Sequence, residues 1–159
     1  MRTPASIARH PIHPMLVPIP IGLWIFSLVC DGVFALGWGG EVWRTVAFFT
    51  MVGGVVGALI AAIPGLIDML SLPHGPRKTA VAHMTINLTI VAMYVVNIWL
   101  RIANPANVRL TLLLSLVAVG LLAVSGWLGG KMVYEHGVAV DDGEQLHLRL
   151  GNQERRLRT

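Results

Sequence analysis

Six histidines carry most of the chemistry this chain can offer. Two of them open its densest motif, His10-Pro11-Ile12-His13-Pro14-Met15-Leu16-Val17-Pro18-Ile19-Pro20. A residue before proline is biased away from the α region, so His10 and His13 are expected in a stiff, extended lead-in. Pro14 suits a first helical turn, where a missing N–H costs nothing. Pro18 and Pro20 then strip donors from backbone carbonyls, which in a membrane must find other partners. Two imidazoles on a rigid segment have the makings of a ligand site. The plainer alternative is an interfacial turn whose histidines touch only headgroups. His83 and Asn87 lie one helical turn apart and share a face. Buried in an apolar helix, they need partners on a neighbour, either as hydrogen-bonding glue or, for His83, as a ligand. His136 follows Glu135 beyond the Gly129-Gly130 pair. Imidazoles ligate haem iron and transition metals, and carboxylates such as Asp68 or Glu135 can orient them from behind.

The elements that must position these groups are membrane helices. Hydrophobic residues make up 55% and charged ones 13%, against roughly 25% charged in soluble domains. Four apolar runs, about 15–36, 42–70, 79–100 and 108–128, reach the roughly 20 residues a bilayer requires. The expected fold is an all-α integral membrane protein, a four-helix transmembrane bundle over 1–136. Residues 137–159 should add a short β-hairpin around Asp141-Asp142-Gly143 and a basic tail. The first run is too long for a signal peptide's apolar core and should stay in the mature protein. Cys30 has no cysteine partner, and the net charge of +4 reads as membrane-flanking lysine and arginine rather than as a nucleic-acid surface.

With the N-terminal face called side A, nine lysines and arginines fall there, including Arg2, Arg9, Arg77, Lys78 and Lys131. Arg44, Arg101 and Arg109 fall on side B. The positive-inside rule then puts both termini in the cytoplasm. All six histidines map to side A. Trp38, Trp43 and Trp99 should belt side B, and Trp127 and Tyr134 side A. Asp31, toward side B, needs a partner. Arg44 is the nearest in sequence, and an ion pair is preferred to a proton relay. Gly53, Gly57, Ala61 and Gly65 share one face of the second helix, fit for close helix packing or for a flat cofactor. Pro64 should kink that helix.

The opening His-Pro-x-His-Pro-Met-Leu-Val run, Ala61 to Asp68, His83 with Asn87, and Gly129 to Val138 resemble the bacterial domain-of-unknown-function 2231 membrane proteins. The resemblance covers nearly the whole chain and implies a bacterial inner-membrane location. Fusion of some relatives to Rieske or cytochrome-like modules implies electron transfer. His74 and His147 lie outside the shared motifs and rank lower.

The expected function is therefore redox-associated. His13 and His83 are the primary ligands, with His10 and His136 close by, for haem b or for a metal ion that Asp68 helps to hold. Asp68, Asn87 and Glu135 are the supporting residues. The partners would be the bilayer, a Rieske or cytochrome module or a quinone, and other subunits in a homo- or hetero-oligomer. The competing reading is a cofactor-free scaffold subunit with structural histidines. Neither reading is of a stand-alone enzyme. With no histidine on side B, a one-sided site is favoured over a transmembrane electron wire.

Overall fold

The computed structural model describes residues 3–8 and 10–140. Two short strands, β1 (Ser6–Ile7) and β2 (His10–Pro11), pair antiparallel. Five helices follow: α1 (Ile12–Leu16), α2 (Pro18–Ala35), α3 (Glu41–Ser71), α4 (His74–Ala103) and α5 (Val108–Tyr134). α1 and α2 form one span of 24 residues, and α3, α4 and α5 span 31, 30 and 27, all apolar enough to cross a membrane. At 1.5 Å per residue, each exceeds the ~30 Å hydrocarbon core. Neighbours pack in a ring, α2 on α3, α3 on α4, α4 on α5 and α5 on α2. α2 and α4 therefore run parallel on opposite corners.

Three element ends differ from the sequence reading. His13 lies inside α1 rather than in an extended lead-in. Pro14 falls in the first turn, where its missing N–H costs nothing, so the helix takes in His13 against the steric bias on a residue before proline. The chain steps between α1 and α2 at Val17, just before Pro18 and Pro20 withdraw their donors. α4 starts at His74, which is thus helical. Pro73 caps it in extended geometry, and Pro76 sits harmlessly in its first turn. α5 runs through Gly129-Gly130 to Tyr134, and the turn after it closes at Gly137, whose φ is 60°. There Gly137 N donates to Val133 O, the single bond of an αL-type closure, and Val138 N donates to Met132 O. Val138 folds back into an apolar cluster with Met69, Leu72 and Ala80. The expected C-terminal hairpin lies mostly outside the described residues. The strand pair that is seen stands at the N-terminus instead.

Large apolar side chains such as Phe49, Ile63 and Leu113 face outward. The interior combines small and polar side chains with one central layer of larger ones, Trp24, Met51, Ile90 and Tyr94. Small and polar contacts suit membrane bundles, where apolar burial gives no drive between helices. The small-residue face of α3 packs on α2 rather than leaving a slot. An added Cβ at Gly53 would meet Leu23 at 3.3 Å, and one at Gly57 would meet Ile19 at 3.2 Å. Gly54, on the adjoining line of α3, is tighter still, since a Cβ there would lie 2.3 Å from the Trp24 indole nitrogen. Pro64 is buried within α3, which continues past it unbroken.

The buried positions of the two halves correspond. Pro20, Trp24, Ser27 and Asp31 of α2 match Ile90, Tyr94, Asn97 and Arg101 of α4 at a constant shift of 70. Ala47, Met51, Gly54 and Ala61 of α3 match Thr111, Ser115, Ala118 and Ser125 of α5 at another constant shift. The bundle is thus two parallel helical hairpins related by a pseudo-two-fold axis along its length, an arrangement known among transport proteins.

Candidate functional site

Three pairs cross the bundle between corresponding positions on the α1–α2 span and α4. His13 meets His83, Trp24 meets Tyr94, and Asp31 meets Arg101. The first pair lies at the side A end. Its ring centroids are 6.4 Å apart and the planes perpendicular. Each imidazole is held by the other helix of its own hairpin. His13 Nδ1 bonds the Ala61 carbonyl of α3 at 2.8 Å, and His83 Nδ1 bonds the Ser125 carbonyl of α5 at 2.9 Å. A carbonyl only accepts, so both Nδ1 atoms carry the proton. In the neutral ring this leaves Nε2 with its lone pair open. Neither Nε2 is hydrogen-bonded among the described residues.

Glycine makes the space for the His13 ring, while the His83 ring leaves room for a Cβ. A Cβ at Gly65, one turn beyond Ala61, would sit 2.7 Å from His13 Nδ1. One at Gly129, one turn beyond Ser125, would meet His83 Cε1 at 3.6 Å. Asn87 donates to the His83 carbonyl at 2.8 Å and to Ser125 Oγ at 2.7 Å. Its role is the interhelical hydrogen bonding expected of a polar residue there.

The remaining candidates go elsewhere. His10 is exposed, and its Nδ1 bonds the Ala8 carbonyl. Asp68 is buried and accepts the Ala5 N–H at 2.9 Å, tying the N-terminal segment down over the end of α3. Glu135 pairs with Lys131 at 3.5 Å on the exposed side of α5. His136 is half-buried in the turn after α5, and no ring contact joins it to the His13–His83 pair. No three histidine, cysteine, aspartate or glutamate side chains converge to hold a metal ion among the described residues.

At the other end, Asp31 pairs with Arg101 at 2.5 Å, not with Arg44. Arg44 lies at the surface, pairs with Glu41 at 3.8 Å, and donates to the Pro105 carbonyl. Arg101 wins because parallel helices on opposite corners bring equal depths together across the axis. Its Nε donates to Asn97 Oδ1, and Asn97 Nδ2 donates to Thr111 O and Ser115 Oγ. Sequence distance could not reveal this partner. The constant shift between halves is the signal that could have.

The family model described as "Predicted membrane protein (DUF2231)" matches residues 9–142. No curated protein and no solved structure matches the chain. The match takes in every helix and both histidines of the side A pair, and this chain belongs to the DUF2231 family of predicted membrane proteins.

Proposed function

We propose that the protein is a membrane electron-transfer component that holds haem b between His13 and His83. The observation that carries this reading is the facing pair itself. Two imidazoles that bind one ion through nitrogens at about 2.0–2.1 Å have ring centres roughly 6 Å apart. The pair stands at 6.4 Å. The donor set fits an iron porphyrin better than a bare ion. Haem iron asks the protein for only one or two ligands, whereas a structural zinc site asks for four.

His13 and His83 would hold the group through Nε2. The Ala61 and Ser125 carbonyls fix the tautomer and raise the basicity of each ligand. Gly65 keeps a side chain away from the His13 ring. The apolar layer of Trp24, Met51, Ile90 and Leu122 bars water from the side B direction. When bound, haem supplies one-electron exchange with a partner such as a Rieske or cytochrome module, or with a quinone. Side A faces the bacterial cytoplasm in this proposal, following the charge asymmetry.

Oxidised and dithionite-reduced spectra of protein purified from haem-replete cells test it, alongside metal analysis. A b-type Soret and α-band lost in His13→Ala and His83→Ala is the expected result. The second reading, a cofactor-free scaffold subunit, draws on the same carbonyl bonds, which already tie α1 to α3 and α4 to α5. A colourless, metal-free and well-folded protein selects it.

A further inference from the structure

Between the aromatic pair and the ion pair lies a layer that its side chains leave incomplete. Trp24 and Tyr94 stack with centroids 4.5 Å apart and planes 10° from parallel. Toward side B, Asp31 and Arg101 form their buried pair. Within this segment, Tyr94 is 1% exposed and Ser27 0%, and neither hydroxyl has a hydrogen-bond partner among the described residues. Ser27 lies one turn before Asp31 on the buried face of α2. Asp31 accepts from Arg101 and Ser115 through Oδ2 alone, so Oδ1 keeps its lone pairs open among the described residues.

The pseudo-two-fold axis explains why the first hairpin is the one left short. Asn97, the counterpart of Ser27, reaches Thr111 and Ser115 on α5. The counterparts of those two on α3 are Ala47 and Met51, whose side chains offer Ser27 no donor and no strong acceptor.

Buried hydroxyls without partners are rare in folded proteins, and bound water commonly satisfies them when two to four polar groups surround it. We propose that bound water occupies this layer, held by the Tyr94 hydroxyl, the Ser27 hydroxyl and Asp31 Oδ1. It completes a hydrogen-bonded chain from Tyr94 through Asp31 and Arg101 to Asn97 and Ser115, on the side B half of the axis only. Toward side A the chain ends against Ile90 and Leu122.

The sign of a melting shift decides the matter. Tyr94→Phe and Ser27→Ala each delete one hydroxyl and little else. Where the hydroxyl binds water, its loss breaks a bond, and both variants melt below the wild type. The double variant then falls by less than the sum of the two, because both lose the same water. Where the hydroxyls are dry, their removal relieves a desolvation cost. Both variants then melt above the wild type, which overturns the proposal. Radiolytic hydroxyl-radical labelling of the wild type in lipid nanodiscs provides a readout that needs no variant. Modification at Tyr94 or Met51, deep in the span, supports bound water, and protection of both residues overturns it.

Discussion

The two ends of the bundle axis use the same backbone positions for opposite purposes. His13–His83 and Asp31–Arg101 each join corresponding residues of the two hairpins across the pseudo-two-fold axis. The side A pair is made of like groups. Each is anchored through Nδ1 to a neighbouring carbonyl, and the second nitrogen makes no hydrogen bond among the described residues. The side B pair is made of opposite charges, and Asn97, Thr111 and Ser115 add further hydrogen bonds around it. Inside a membrane, a buried charge is tolerated when it is paired and hydrogen-bonded. Side B is therefore a clamp, and side A is the socket of the proposed function.

If side B is a clamp, breaking it gives the largest stability loss in the molecule. Removing one member of a buried ion pair strands the other and typically costs about 3–5 kcal/mol. Arg101→Leu should therefore lower the melting temperature of the detergent-solubilised protein more than any change at the histidines. Replacing both members, Asp31→Leu with Arg101→Met, should restore most of that loss, since neither charge is left alone. A double variant as unstable as the single one would show that the surrounding hydrogen bonds, not the charges, hold this end.

The socket is sharpened by a smaller effect that separates two equivalent glycines. Gly65→Ala places a Cβ 2.7 Å from the His13 ring, whereas Gly129→Ala places one 3.6 Å from His83. The first contact is too close for a real Cβ and the second is ordinary packing. Overpacking costs about 1–3 kcal/mol, so Gly65→Ala should destabilise by that amount and displace His13. Gly129→Ala should be near neutral, because the gain in helix propensity over glycine, roughly 1 kcal/mol, meets no clash. Thermal melts of the two variants side by side check this. Equal losses would mean that the hairpins are more alike at side A than their geometry indicates.

The four spans were legible because each is a long apolar run with charged or glycine-rich breaks, and the small-residue face of α3 because its spacing is strict. His13 and His83 were legible as a pair because both lie near the start of a span on one side. The rest was hidden for physical reasons. Pro14 was legible as a first-turn proline, but not that the turn opens at Ile12 and takes His13 in, and Pro76 is likewise accepted in a first turn, so α1 and α4 begin earlier than expected. Gly129-Gly130 looks like a stop, yet α5 runs through it to Tyr134. Asp68 lies near the histidines in depth, but its oxygen is taken by Ala5, on a segment with no recognisable pattern. The correspondence between the hairpins leaves few identical residues, with His13/His83 and Gly65/Gly129 among them. It survives in which positions are buried, which only packing reveals.

The smallest expected effect concerns Asn87, and it tests whether the two rings of the socket are held equally. His83 has support that His13 lacks, since Asn87 bonds Ser125 Oγ at 2.7 Å and that hydroxyl lies 3.0 Å from His83 Nδ1. Val17, the corresponding position on the first hairpin, offers no such group. Interhelical hydrogen bonds in membrane bundles average about 0.6 kcal/mol and reach about 1.7. Asn87→Leu should therefore cost about that much in stability while leaving the Ser125 carbonyl to hold the ring. The test is a double-mutant cycle with Ser125→Ala, read by thermal melting. A coupling near 0.6 kcal/mol would match an ordinary membrane hydrogen bond, with the carbonyls setting both rings. A coupling of several kcal/mol would mean that the Asn87–Ser125 pair positions His83, and the two halves of the socket would then differ in what holds them.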